Sequence, residues 1–128
     1  MIKNFCFFLS LFMLFSCTSG IKKADLIGNW RYTKIAYVSP SMKDLAPDIT
    51  EQKPYFSFHQ DGKAEIYSSG KVLSHGTYTI ENNIIRYEEV LDGGVKRKIP
   101  FLIKELDGHY LIFQTMQAPE QIITAEKE

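Results

Sequence analysis

The sequence lacks an excess of charge of either sign. Lysine and arginine together number 15, aspartate and glutamate also number 15, and the formal net charge is zero. Because phosphate binding needs a concentrated basic face, we expect no nucleic-acid partner. Proline is scarce, with five residues, whereas aromatic residues make up 13% of the chain. This composition is typical of a folded domain and argues against a disordered chain.

The sequence also lacks an apolar stretch long enough to cross a bilayer as a helix. Its longest run extends from Phe5 to Phe15 and contains one serine, whereas a membrane-spanning helix needs about 20 residues. Lys3 precedes the run and small residues follow it. A charged start, a short apolar centre and a small-residue exit are the layout of a secretory signal peptide. We therefore predict a signal peptide over residues 1–16, in preference to a short membrane anchor.

Cysteine is too rare for a disulfide framework. The two cysteines are Cys6, which lies in the predicted signal peptide, and Cys17. One cysteine then stays in the mature chain, so no disulfide can form within it. An exported domain of this kind must be held together by its hydrophobic core.

Leu14-Phe15-Ser16-Cys17 resembles the lipobox of bacterial lipoproteins, although Phe15 is bulkier than the residue usual at that position. The resemblance implies cleavage before Cys17 and thioether lipidation of its side chain. The two or three acyl chains implied would make membrane anchoring stable, which a single chain does not. Thr18 stands where an aspartate would resemble an inner-membrane retention signal. We therefore expect a lipid-anchored protein of the cell envelope, on the outer membrane and facing the periplasm.

The mature chain is predicted to divide into a tether and one domain. Residues 17–25 contain Gly20 and two lysines, and we interpret them as an acylated tether. Residues 26–128 form the domain, and a chain of this length is enough for one domain only.

From residue 29 onward the sequence is typical of β-strands. Runs rich in β-branched and aromatic residues are interrupted about every 8–12 residues by Gly, Asp or Asn, the spacing of an all-β sandwich or barrel. The predicted strands cover residues 29–38, 55–59, 63–67, 71–80, 84–90, 95–105 and 109–116. Residues 120–125 are predicted to form a short helix that covers outward-facing Leu102, Leu111 and Phe113.

The turns predict one shared buried face. We expect three-residue loops at 60–62, 68–70 and 92–94, and two-residue turns at 82–83 and 107–108, which are common hairpin types. Alternate residues of six successive strands then lie on one side, because a strand's side chains alternate. This inward set is Phe56, Phe58, Ala64, Ile66, Val72, Ser74, Gly76, Tyr78, Ile80, Ile85, Tyr87, Val95, Ile99, Phe101, Ile103, Tyr110, Ile112 and Met116.

The same register pairs oppositely charged residues across strands, with Glu88 opposite Lys98 and Glu89 opposite Arg97. A six-strand meander that stayed open would leave two edges free to pair with other chains. Closure with the strand that contains Trp30 avoids this. We therefore predict an all-β fold, a small antiparallel up-and-down barrel.

The segment Leu26-Ile27-Gly28-Asn29-Trp30 resembles the Gly-x-Trp opening of lipocalin-like domains. The resemblance covers about residues 25–116 and implies a compact barrel with the tryptophan plugging its closed end. The resemblance assigns structural roles, and no others, to Gly28 and Trp30. Lipocalins also stack an arginine from near the end of the last strand on this tryptophan, and this sequence has no arginine in residues 113–128.

We find no motif for catalysis. His59, His75 and His109 are all predicted to point outward, with Lys63 between the first two, which is unfavourable for a shared metal ion. No nucleophile elbow, Walker loop, zinc-ligand spacing or dinucleotide fingerprint is present. We therefore predict no enzymatic activity, no metal site and no cofactor.

The inward aromatic residues have two interpretations, which the sequence leaves open. They form a core, or they line a pocket for a small apolar or amphipathic ligand. The candidate lining residues are Trp30, Phe56, Phe58, Tyr78, Tyr87, Phe101 and Tyr110. The long connection at 39–54 is a binding loop or a plain linker. One hypothesis is thus a membrane-anchored lipoprotein whose barrel binds a small hydrophobic ligand. The other is a filled barrel that serves as a protein-interaction or structural module of the envelope.

Overall fold

The structure, a computed structural model, describes residues 21–128. The predicted signal peptide, residues 1–16, and the predicted lipidation site, Cys17, lie outside the described residues. Between residues 21 and 128, no helix has the length and apolar character needed to cross a membrane.

The described chain forms a closed antiparallel barrel of eight strands in up-and-down order. The strands are β1 (Gly28–Tyr37), β2 (Tyr55–Phe58), β3 (Lys63–Ser68), β4 (Lys71–Glu81), β5 (Ile84–Val90), β6 (Lys96–Leu106), β7 (Tyr110–Thr115) and β8 (Gln121–Lys127). A short helix α1 (Lys23–Leu26) precedes β1, and 3-10 helices cover Pro40–Leu45 and Asp92–Gly94. The predicted fold class, an all-β antiparallel up-and-down barrel like that of lipocalins, is confirmed.

The eighth strand corrects one prediction. Residues 120–125 were predicted as a helix on the outer face, but residues 121–125 belong to β8, which pairs with both β7 and β1. Ile123 lies opposite Phe113 on one side and Ile35 on the other. The β-branched run Ile122-Ile123-Thr124 is suited to a strand, and pairing it on both sides leaves no free edge at the point of closure.

Three of the predicted turns are confirmed. In the 60–62 loop, the amide of His59 donates to the carbonyl of Lys63 over 2.9 Å. The Asn82-Asn83 turn joins Glu81 to Ile84, and both asparagines have positive φ, as a type I′ turn requires.

The third confirmed turn is the 92–94 loop, where the amide of Leu91 donates to the carbonyl of Val95 over 2.7 Å. Glu88 lies opposite Lys98 and Glu89 opposite Arg97, as predicted. The register of β4, β5 and β6 therefore follows from turn length alone.

The predicted three-residue loop at 68–70, between β3 and β4, is wrong, because the turn there has two residues and β4 contains a bulge. The turn is Ser69-Gly70, and Tyr67 pairs with Val72 while Ile66 pairs with Ser74, which leaves Leu73 without a partner. The prediction that Val72 faces inward is wrong, because the extra residue places it on the outer side. Beyond the bulge, Ser74 and the alternate residues after it face inward as predicted.

A second bulge, at Lys104 in β6, reverses the faces of β7. Ile103 pairs with Phe113, whereas Glu105 pairs with Ile112. Leu111 and Phe113 are consequently core residues, although we predicted that they face outward. A shift of one residue moves every side chain of a strand to the other side of the sheet.

The same bulge overturns the inward placement of Tyr110, Ile112 and Met116. Tyr110 and Met116 are exposed, and Ile112 is only partly buried and points away from the core. The turn that was predicted at 107–108 is also displaced, since the amide of Asp107 donates to the carbonyl of Tyr110.

The barrel interior is filled by aromatic rings. Phe56 lies at its centre, with ring centroids 4.2 Å from Phe58, 5.5 Å from Tyr87, 5.7 Å from Phe101 and 6.1 Å from Phe113. Rings at these separations are in contact. The buried hydrophobic core consists of Leu26, Trp30, Phe56, Phe58, Ala64, Tyr78, Ile85, Tyr87, Phe101, Ile103, Leu111, Phe113, Ile123 and Ala125.

Trp30 seals one end of the barrel, which we call the closed end. Its side chain is fully buried, and its indole Nε1 donates a hydrogen bond of 2.8 Å to the carbonyl of Leu26. Leu26 is the last residue of α1, so this helix covers the end of the barrel. Residues 23–25, predicted as part of the tether, thus form part of the seal.

Lys127 occupies the place where the lipocalin resemblance implies an arginine. Its Nζ lies 5.2 Å from the centroid of Trp30 and donates a hydrogen bond of 2.9 Å to the carbonyl of Ile27. Gly28 makes room for it, since a Cβ there would lie 2.9 Å from the Lys127 Cε, and its φ of +131° also favours glycine.

Candidate functional site

The end of the barrel opposite Trp30, which we call the open end, has an unusual surface. It is formed by the ends of β1, β3, β5 and β7 and by the connections that follow them. Six large apolar side chains there, between 45% and 70% exposed, form what we call the apolar rim: Val38, Leu45, Val72, Leu73, Val95 and Met116. Within residues 21–128, the one other large hydrophobic residue with comparable exposure is Tyr110, at the closed end.

Local backbone features place the rim side chains in solvent. Leu73 is the bulged residue of β4, and Val72 beside it has changed face. Val95 lies between the 92–94 loop and β6, and it is exposed although it was predicted to belong to the buried inward set. Leu45 ends the 3-10 helix of the long connection between β1 and β2. The rim therefore results from two hairpins and two longer connections that meet at one end.

A buried polar network lies just inside the open end. The hydroxyl oxygens of Tyr87 and Ser74 are 2.7 Å apart, and the Ser74 hydroxyl donates to the Glu89 carboxylate. Arg97 donates to the same carboxylate from Nη2 over 2.6 Å and from Nε over 3.1 Å. Ser74 and Glu89 are buried, whereas the Arg97 side chain is mostly exposed. The network thus links the aromatic core to the solvent at the open end.

The charge of Glu89 is stabilised by this network. Burial opposes its ionisation, but hydrogen bonds from Ser74 and Arg97, together with the charges of Arg97 and His75, outweigh burial and lower the pKa of Glu89. At Tyr87, in contrast, burial outweighs the hydrogen bond with Ser74, so the pKa of the phenol is raised. Glu89 is therefore an anion paired with Arg97 at neutral pH.

The structure brings six of the seven candidate lining residues together. Trp30, Phe56, Phe58, Tyr78, Tyr87 and Phe101 all lie in the buried core, where neighbouring rings pack against one another. Tyr110 is on the outer surface because of the Lys104 bulge, so it lines no interior.

Surface clefts occur at both ends of the barrel and on its wall. One of about 720 Å³ is at the closed end and includes Ile21 and Asn83. One of about 370 Å³ lies on β4, β5 and β6 beside Arg86. One of about 290 Å³ is at the open end and includes Ile99 and Met116. None of the three is lined by Trp30, Phe56, Phe58 or Phe101.

His59 takes part in a serine–histidine–glutamate cluster on the outer face that has the wrong geometry for nucleophilic catalysis. The Glu65 Oε1 lies 2.7 Å from His59 Nε2, and the Ser57 Oγ lies 3.5 Å from the same nitrogen. A catalytic histidine uses one nitrogen for the nucleophile and the other for the carboxylate. The Ser57 hydroxyl instead donates to the Asn29 Oδ1 over 2.7 Å.

The other two histidines lie on the surface. His75 pairs across β3 and β4 with Glu65, so Glu65 rather than Lys63 stands between His59 and His75. His109 lies in the turn before β7, and its backbone amide donates to Asp107. In the part of the chain that the structure describes, no three His, Cys, Asp or Glu side chains are arranged to hold a metal ion.

The apolar rim and the role of Lys127 were not predicted from the sequence. Val72 and Leu73 are adjacent apolar residues, which breaks the strict alternation of a strand and is a signal for a bulge. The signal for Lys127 is its position near the end of the chain, since a lysine, like an arginine, binds an aromatic face.

No protein-family model matches this chain, and comparisons with curated proteins and with solved structures found no match.

Proposed function

We propose that this chain is a lipid-anchored barrel that docks a protein partner of the cell envelope through the apolar rim. The observation that carries the proposal is the distribution of exposed apolar side chains, six of which lie at the open end. Single exposed apolar residues are common on protein surfaces, but a contiguous group at one place indicates a binding surface. The proposed docking involves no catalytic step, no cofactor and no nucleic acid.

The packed core supports docking at the rim over binding in the interior. The centroids of Phe101 and Phe113 are 5.4 Å apart, and those of Phe58 and Tyr78 are 5.0 Å apart. Rings that already contact one another have little to gain from an apolar ligand that would have to separate them. An eight-stranded barrel is also just wide enough for its own side chains to fill it.

The anchor in this proposal is the lipobox-like Leu14-Phe15-Ser16-Cys17, and the proposed location is the outer membrane, facing the periplasm. Replacing Cys17 by alanine should abolish incorporation of labelled fatty acid and release the protein from the membrane fraction. Labelled lipid on the Cys17→Ala protein would contradict the anchor.

Docking at the rim is tested by photocrosslinking in cells from single introduced residues. A photoreactive amino acid at Val95, in the rim, should form an adduct of one discrete mass. The same residue at Asn83, exposed at the closed end, is the matched control and should not form that adduct.

A second substitution shows whether the adduct depends on the rim. Leu73→Ser removes the most exposed apolar side chain of the rim while leaving the core unchanged. It should weaken or abolish the Val95 adduct. Equal adducts from Val95 and Asn83, or an adduct that is unaffected by Leu73→Ser, would contradict docking at the rim.

Binding of a small apolar or amphipathic ligand is a second candidate function. It is favoured by the cleft of about 290 Å³ at the open end, where Ile99 and Met116 provide apolar contacts. This site requires no rearrangement of the ring-packed core.

The ligand function is tested by titrating the unlipidated domain with an apolar fluorescent dye and by native mass spectrometry. Met116→Ser should lower dye uptake, whereas Val38→Ser, also in the rim but outside this cleft, should not. Absence of both dye uptake and a bound mass would exclude this candidate and leave the docking function standing.

A further inference from the structure

The described chain begins at the end of the barrel that lies farthest from the apolar rim. Ile21 packs against the core at the closed end, and α1 follows it there. Ile21 also lines one cleft with Asn83, in the turn between β4 and β5. Any connection from Ile21 back to Cys17 therefore leaves the domain at the closed end.

The connection from Cys17 to Ile21 is short compared with the barrel. Its four residue steps span at most about 14 Å. The 11 residues of β4 run from the open end to the closed end, and a strand of that length extends roughly 35 Å. With the tilt of about 40° usual in barrels, the two ends are roughly 25 Å apart. A tether of this length is too short to let the barrel turn its rim toward the anchor.

The part of the wall formed by β4, β5 and β6 offers little to hold the barrel flat on a bilayer. The outer face of β4, β5 and β6 carries polar and charged side chains, namely Thr77, Thr79, Arg86, Glu88 and Lys98. The closed end, in contrast, carries exposed Tyr110. Tyrosine is well suited to the boundary between water and lipid.

We propose that the closed end lies against the membrane and that the apolar rim faces the aqueous compartment, where its partner is a protein and not lipid. This orientation rests on the proposed anchoring at Cys17. Two copies in the same leaflet present their rims in the same direction, so they cannot join rim to rim. The rim is thus a surface for a different molecule that approaches from the aqueous side.

The orientation is measured with one label at each end of β4. Ser69 and Asn82 form a matched pair, because both are exposed turn residues with positive φ, of 54° and 49°, and they lie at opposite ends of the strand. With Cys6 removed in the signal peptide and Cys17 acylated, a cysteine introduced by Ser69→Cys or Asn82→Cys is the single reactive thiol. Each acylated variant is labelled with a fluorophore after purification.

The labelled proteins are reconstituted into vesicles of phosphatidylethanolamine and phosphatidylglycerol that contain a nitroxide-headgroup lipid. The Asn82 label should lose most of its fluorescence to the quencher, and the Ser69 label should retain most of its own. Inserting 12 glycine and serine residues after Gly20 lengthens the tether, so the loss at Asn82 should become smaller. Far-UV circular dichroism of each variant confirms that the barrel is folded.

The possible outcomes separate the orientation from the anchor. If the protein does not float with the vesicles, the anchoring is refuted and the orientation with it. If it floats and the Ser69 label is quenched as strongly as the Asn82 label, the anchoring stands and the orientation is wrong. A photoreactive residue at Val95 on these vesicles should form no lipid adduct, and a lipid adduct there would also overturn the proposal.

Discussion

At the closed end of the barrel, α1 and Lys127 cover a fully buried Trp30, whereas at the open end six large apolar side chains stand in solvent. The charged side chains at the two ends also make different contacts. The Lys127 cation is used to cover an aromatic ring, while Arg97 at the open end is paired with a buried carboxylate that reaches the core through Ser74 and Tyr87. The chain therefore completes one end of its core and leaves the other uncovered.

In the proposed function, the closed end serves stability and the open end serves binding. At the closed end, turn chemistry, burial and hydrogen bonding all agree, as they do where a sequence specifies a fold. At the open end the apolar side chains break this agreement, and such exceptions concentrate at functional sites. Substitutions at the two ends of the barrel test this division.

Truncation of the closed-end plug should have the largest effect on stability. Trp30→Ala removes a fully buried ring and the hydrogen bond to Leu26, so we expect a loss of about 3–5 kcal/mol in the free energy of unfolding. Val95→Ala, in the apolar rim, should change it by less than about 0.5 kcal/mol. Urea unfolding followed by circular dichroism measures both. Similar losses of unfolding free energy from Trp30→Ala and Val95→Ala would contradict the proposed difference between the two ends.

Two neighbouring residues of β7, one on each face of the sheet, should also contribute unequally to the free energy of unfolding. Leu111→Ala truncates a fully buried side chain and should lower the free energy of unfolding by about 2–5 kcal/mol. Tyr110→Ala, at an exposed position, should lower it by less than about 1 kcal/mol. The reverse order in urea unfolding would show that the Lys104 bulge is absent and that the simple alternating register is correct.

The Lys127 cation, which lies over the Trp30 ring, should contribute a smaller amount to the free energy of unfolding. Lys127→Met keeps a long apolar side chain but removes the charge over Trp30 and the hydrogen bond to Ile27, so we expect a loss of about 1 kcal/mol. Lys127→Arg should preserve most of the stability, because arginine makes the same two interactions. The control at the open end is Lys96→Met, whose exposed ion pair with Glu88 should contribute less than about 0.5 kcal/mol.

The pH dependence of stability should reveal the open-end network. The pKa of Glu89 is lowered in the folded protein, so the stabilisation from its ionised form is present above the unfolded pKa of about 4.5 and is lost as the pH falls through the folded value. The difference in stability between wild type and Glu89→Gln should therefore be constant at neutral pH and shrink below about pH 4.5.

The closed end supplies a control for this profile. The pKa of Asp107 is also lowered, by hydrogen bonds from the backbone amides of His109 and Tyr110. Asp107→Asn should therefore remove a separate part of the acid dependence, and its effect should add to that of Glu89→Gln because the two residues are at opposite ends. A difference profile for Glu89→Gln that stays flat down to pH 3 would mean that the carboxylate gains nothing from Ser74 and Arg97.

Much of the fold follows from neighbouring residues in the chain. The asparagine pair at 82–83 and the glycine pair at 93–94 adopt positive φ, and their turn lengths set the register from β4 to β6. The seven predicted strands are all present, and most of the predicted inward set is buried. Periodicity and turn type are local properties, so a single sequence contains them.

The candidate site could not be predicted in the same way. The bulges at Leu73 and Lys104 depend on how one strand fits against its neighbour, and a local signal such as the apolar pair Val72-Leu73 does not by itself fix their positions. They decide that Val72 and Tyr110 are exposed and that Leu111 and Phe113 are buried. The rim also combines residues as far apart in sequence as Val38 and Met116, which meet only because the barrel closes.

An all-β chain with alternating faces, the turn lengths of three hairpins and a tryptophan at the start of the first strand all follow from the order of the residues. The closure of the barrel by β8, the contact of Lys127 with Trp30 and the apolar side chains at the open end arise only in the folded barrel. Alternation and turns are set by residues in succession. Closure, bulges and a shared rim are set by the fit of strands that are distant in the chain.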